Sequence, residues 1–100
     1  MAQLVITFWR DIPSMVEARR GRKDRAKRML PDRFQEAIDR AAMRTGAGGA
    51  DDYLADWRKA EPEECGEDLE AEADRAAADL DAAYDEARLK ALVGAGGKEA

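Results

Sequence analysis

Apolar and polar positions along this chain follow different rhythms in its first, middle and last thirds. Leu4-Val5-Ile6-Thr7-Phe8-Trp9 is β-branched and aromatic and is bounded by Asp11 and Pro13, which predicts a strand. Leu4, Ile6 and Phe8 share one face of it, and Val5, Thr7 and Trp9 share the other. Both faces are largely apolar, so the strand is expected to be covered on both sides, with Phe8 buried. Asp11-Ile12-Pro13-Ser14 has turn chemistry, because Pro fixes φ and pushes Ile12 to an extended conformation. Met15 to Arg19 then predicts a shorter, more polar strand, returning antiparallel at the edge of the sheet.

Arg19 to Arg28 shows little apolar periodicity and contains Gly21, which predicts an exposed loop or a short helical stretch. Pro31 and Asp32 suit a helix start. Leu30, Phe34, Ile38 and Ala41/Ala42 line one face of a helix over residues 31–45, which Gly46 stops. Residues 46–50 read as a loop. Residues 51–59 fit either a short helix with Leu54 and Trp57 on one face or a third strand with Tyr53, Ala55 and Trp57 alternating. The strand is preferred, because two strands alone make a weak sheet.

From Gly66 the rhythm becomes helical. Leu69, Ala73, Ala76, Leu80, Tyr84 and Ala87 form a narrow stripe on one long acidic helix, residues 67–92. Residues 94–100 read as a flexible, frayed tail. The expected fold is therefore α+β: a small antiparallel sheet, made of an N-terminal hairpin with a possible third strand, packed against two main helices. Residues 1–93 form its single domain.

Composition thins the core. Of the 45% of residues that are hydrophobic, 21 in this chain of 100 are Ala. A modest core leaves modest stability, which a partner burying further surface would raise. The net charge of −5 divides unevenly. Residues 1–45 carry 11 basic and 6 acidic side chains, and residues 46–100 carry 6 and 16. The two halves can attract each other within one fold, or each can offer a patch to a partner.

Candidate chemistry is sparse. The chain has no His and one cysteine, Cys65, so an internal disulfide and a cysteine-based zinc site are excluded. The acids of the long helix read as a solvated face and match no calcium loop. Gly46-Ala47-Gly48-Gly49 lacks the Lys and the strand–helix setting of a phosphate loop, and Ser14 and Thr45 have no base in sight. Cys65 reads as structural. No cofactor or metal is expected. No apolar run is long enough to cross a membrane, and the first ten residues lack the pattern of a signal peptide. The cytoplasm is the expected location.

The one concentrated feature is basic: Arg19, Arg20, Arg22, Lys23, Arg25, Lys27 and Arg28. Its first reading is solubility or pairing with the chain's own acids, its second contact with a protein or an anionic cofactor, and its third nucleic acid. The stretch carries no stacking aromatic, which disfavours the third. Trp9 and Trp57 read first as packing residues and second as a binding platform. With the basic side chains they complete the candidate binding set.

Ile6-Thr7-Phe8-Trp9-Arg10-Asp11-Ile12-Pro13, the segment Arg33-Phe34-Gln35-Glu36-Ala37-Ile38-Asp39-Arg40-Ala41-Ala42-Met43, and Tyr53-Leu54-Ala55-Asp56-Trp57-Arg58 together resemble a small "virulence factor" domain family. The likeness spans residues 4–93 and looks like the stand-alone form of proteobacteria. Relatives elsewhere are modules of longer chains that also carry a scaffold-type iron–sulfur-assembly domain and helical repeats. Stand-alone members are often encoded near folate- and corrinoid-linked methyl-transfer proteins. The resemblance implies an accessory or interaction subunit in one-carbon or cofactor metabolism, and it carries no catalytic residues over. Another protein is the expected partner, a nucleic acid or anionic cofactor bound through residues 19–28 is the alternative, and the oligomeric state is left open.

Overall fold

The computed structural model describes residues 2–46 and 54–98. The chain runs β1 (Ala2–Trp9), β2 (Ile12–Arg20), β3 (Asp24–Met29), α1 (Asp32–Arg44), β4 (Trp57–Lys59), β5 (Glu63–Glu64), α2 (Leu69–Ala83) and α3 (Glu86–Gly94). The strands form one antiparallel sheet in the order β3-β2-β1, with β4 and β5 pairing successive stretches of β1's other side. The α+β class expected from the sequence is the one observed.

Three strand expectations need correction. The hairpin turns at Arg10-Asp11, not at residues 11–14, and Pro13 lies fully buried inside β2. The register slips between Thr7 and Phe8, which leaves Ser14 as the extra residue of a bulge. Pro is tolerated at such a point because it has no ladder hydrogen bond to donate. β2 is accordingly longer than expected and lies inside the sheet rather than at its edge. The edge strand is β3, which takes up most of the basic stretch as backbone paired to β2 from Met29↔Met15 to Asp24↔Arg20. Its local pattern is too polar to read as a strand. Tertiary pairing, with Gly21 at φ 65° opening the tight turn, overrides that pattern. Of the ambiguous segment, Leu54 and Ala55 are helical and only Trp57–Lys59 is strand, while Tyr53 and the loop residues 47–50 lie outside the described residues.

The helical stripe is real but broken. Tyr84 ends α2 at φ −109°, ψ 73°, and Asp85 caps α3 by accepting a 2.8 Å hydrogen bond from the Arg88 N–H. Asp85 sits inside an acidic run, so its capping role is hidden among surface charges, although Asp-Glu at a helix start is the pattern that signals it. The break lets α3 turn away from the sheet and pack on α1.

Two apolar clusters share Ala77 and Leu80. One contains Trp9, Ile12, Leu30, Phe34, Ile38, Leu89 and Leu92. The other sets Ala18 and Ala26 of the sheet against Ala73 and Ala76 of α2. Small side chains on both sides allow close approach, so α2 buries its face with little bulk. Phe8 is only half-buried, with the Arg58 guanidinium 4.7 Å above its ring, whereas Trp9 is fully buried. The buried aromatic of β1 is thus Trp9, not Phe8.

Residues 94–98 differ from the frayed tail expected. Gly94 belongs to α3, and Gly96 and Gly97 are buried. The Gly97 carbonyl accepts from the Asp11 N–H at 2.8 Å, and the Gly96 carbonyl accepts from Arg10 Nη1 at 2.7 Å.

Candidate functional site

The two ends of the β1–β2 hairpin have different chemistry. At the turn end, Arg10 adopts φ 53°, a left-handed conformation that is uncommon for a long side chain. The cost is offset by a dense set of contacts. Arg10 Nε donates to Asp56 Oδ2 at 3.0 Å, and the Arg10 N–H donates to the Asp56 carbonyl at 3.0 Å. Arg58 Nε donates to the Arg10 carbonyl at 3.0 Å, and Arg58 Nη2 donates to Asp11 Oδ1 at 3.1 Å. Arg10 also stacks on the Trp9 ring at 4.7 Å. These bonds bring Trp9-Arg10-Asp11, Asp56-Trp57-Arg58 and Gly96-Gly97 together. Trp9 and Trp57 face each other in register within this assembly, and both pack in or against the first apolar cluster.

The basic stretch lies at the opposite end, where Arg20 pairs with Ala2. The structure therefore does not unite the two tryptophans with the basic residues. It also splits the basic residues between two faces. Arg28 shares a face with Ile6 and Val16 and reaches α2, where it ion-pairs with Glu70 and, at 2.6 Å, with Asp74. The Glu70 and then the Asp74 hydrogen bond hold its guanidinium above its ordinary pKa. Arg20 reaches Asp24 at 3.2 Å and Glu67 at 3.9 Å. In the α1 region Arg33 pairs with Asp81. The basic and acidic halves thus attract each other within the fold, as the charge division suggested.

The other face of the sheet is different. The register lines up three rows: Gln3, Arg19 and Arg25; Val5, Glu17 and Lys27; Thr7, Met15 and Met29. None of their side chains belongs to either apolar cluster. Val5 is nonetheless only 4% exposed and Glu17 only 6%. Lys27 and Arg25 stand over the Glu17 carboxylate at 3.8 and 3.9 Å. Met29, by contrast, is 68% exposed. Arg22 and Lys23 occupy the turn beside this face. Among the described residues, Arg19, Arg22 and Lys23 have no ion pair within 4 Å. The result is a surface with an apolar end, a buried acid at its centre and a cationic end. Sequence reasoning found its cations but not Val5, Met15, Glu17 and Met29, since their sharing a face depends on a β2–β3 pairing the sequence conceals.

Two other places hold polar groups. A cleft of about 450 Å³ between α1 and α3 is lined by Arg33, Glu36, Arg40, Glu86 and Lys90 over Leu89 and Val93. Its charges are of both signs and its floor is apolar. Cys65 is held to the sheet by its N–H bond to the Ala2 carbonyl at 3.1 Å. Desolvation first, then Glu72 and Glu67, push its thiol pKa up, which suppresses thiolate chemistry near neutrality. No three acidic or cysteine side chains among the described residues are grouped to hold a metal ion. None of the helices among the described residues is long and apolar enough to cross a membrane.

The family model described as "Virulence factor" matches residues 7–93, so the chain is a member of that family. No curated protein and no solved structure matches it.

Proposed function

We propose that this domain is a non-catalytic accessory subunit that binds another protein through the open face of its sheet. The observation that carries the reading is the row arrangement of that face. The exposed Met29 and the half-buried Met15 offer apolar contact, and Arg19, Arg25 and Lys27 bring three positive charges against the single carboxylate of Glu17. Cations facing α2 are paired one for one or better with the chain's own acids. On the open face Arg25 and Lys27 share the single carboxylate of Glu17, and Arg19 has no ion pair among the described residues, which supports a net positive surface for a partner. In protein interfaces apolar contact supplies buried area, and charged positions set orientation and association rate. One-carbon or cofactor metabolism is the setting the family resemblance suggests for such a subunit.

The test is a pair of variants in the native cell. Replacing Arg19, Arg22 and Lys23, which hold no ion pair among the described residues, together by Ser is expected to shift stability by less than ~1 kcal/mol, as for exposed charges, and to abolish recovery of a stoichiometric partner. Replacing Arg40 and Lys90 in the α1–α3 cleft by Ser is expected to leave that recovery intact. The opposite pattern sinks the reading. The alternative, a nucleic-acid or anionic-cofactor surface on residues 19–28, requires binding of an oligonucleotide that weakens steeply with salt.

A further inference from the structure

We propose that the free edge of β3 takes up an extended acidic segment of the partner, which adds to the sheet as a further antiparallel strand. The proposal rests on the interaction reading above and names the partner's chemistry.

Among the described residues β3 has one strand neighbour, β2. Every second backbone N–H and C=O along Asp24–Met29 therefore points away from the sheet, which is a template for another chain. The charge around this edge selects what can use it. Between Met15 and Met29 the sequence has seven cations and two acids. Arg28 is taken by α2, and Arg20 by Asp24 and Glu67. Arg22, Lys23, Arg25 and Lys27 remain exposed beside the edge. A second β3 laid against this one sets cation against cation, which disfavours self-pairing. A nucleic acid lacks a stacking platform, since the three rows of the open face contain no aromatic. An acidic strand meets neither obstacle.

The register also specifies a pattern. Side chains of the added strand alternate between the two faces. On the open face they stand opposite Met29, Lys27 and Arg25 in the added strand's own direction, so the matching antiparallel segment reads apolar, any residue, acid, any residue, acid. The intervening positions lie on the side of Ala26 and Arg28, where α2 already packs.

The experiment uses the full ¹⁵N-labelled chain and a synthetic peptide that begins with Leu and then alternates Val with Glu, with a Lys-for-Glu peptide as control. The acidic peptide is expected to bind and to slow hydrogen exchange at least tenfold at outward amides of residues 24–29. Replacing Arg25 and Lys27 by Gln together with Glu17 by Gln, so that no buried charge is left unpaired, is expected to weaken binding at least tenfold while the spectrum stays native. Binding that leaves β3 amides unprotected overturns the strand addition and leaves the face reading standing. Failure of the acidic peptide to bind at millimolar concentration, or equal binding of the Lys peptide, also overturns it. Protection without peptide that grows with protein concentration assigns the edge to a second copy and overturns it as well. An oligonucleotide that binds where the peptide fails overturns both this proposal and the interaction reading.

Discussion

Replacing Trp9 by Ala is expected to remove about 3–5 kcal/mol of stability, the range for truncating a fully buried large aromatic. Trp9 has no exposed surface and packs in the cluster that joins the hairpin to α1 and α3 through Ile12, Phe34, Ile38, Leu89 and Leu92. The sequence offers little else of that size, since much of the remaining core is Ala. Small domains have about 5–15 kcal/mol in total, so this one substitution takes a large share. The melting temperature should fall by about 12–40 °C, at roughly 4–8 °C per kcal/mol for a domain of this size. Phe8→Ala, one residue earlier, is expected to cost clearly less, because Phe8 is half-buried and packs under Arg58 at the surface. Thermal unfolding followed by circular dichroism checks the order. Equal melting temperatures for the two variants contradict the assignment of Trp9 to the core.

Gly97→Ala is expected to destabilise by about 2 kcal/mol, within the range for one residue forced into a sparsely populated backbone region. Gly97 has φ +89°, and a Cβ there meets the Trp9 ring at 2.9 Å and Arg10 Cδ at 3.3 Å. Strain and clash act in the same direction, because the residue is pressed against the ring that anchors the core. Gly94→Ala provides the control with opposite sign. Gly94 lies in the last turn of α3 with open space around its Cα, so a Cβ there costs nothing and improves helix propensity by up to about 1 kcal/mol. Urea denaturation of both variants separates a docked end of the chain, with opposite signs at 94 and 97, from a free one, with no loss at 97.

Different parts of the fold were legible for different physical reasons. β1 could be read because it is a run of β-branched and aromatic residues, and α1 because Phe34, Ile38 and Ala41 keep a helical period with Gly46 as a stop. The stripe on α2 was equally plain, but it ran through Tyr84 without a break in period, so the cap at Asp85 went unseen. β3 was hidden because its inward residues are Ala26 and Arg28. An arginine reads as solvent-facing until the acids of α2 are known to lie across from it. The turn at Arg10-Asp11 carries neither Gly nor Pro, and its left-handed Arg10 is sustained by Asp56, Arg58 and Gly96, all distant in sequence. The candidate surface was half legible. Composition located the cations of residues 19–28, but which of them face the partner depends on strand register, a long-range property.

The most direct measurement concerns that division of faces and uses the chain's own methionines. Met15 and Met29 lie in one row of the open face, while Met43 is exposed on α1. With ¹³C-methyl-methionine labelling, addition of the partner recovered by co-purification is expected to shift the methyl signals of Met15 and Met29 and to leave Met43 unchanged. A shift at Met43 with Met15 and Met29 unmoved would place the partner on the helical side and contradict the sheet face as the interaction surface.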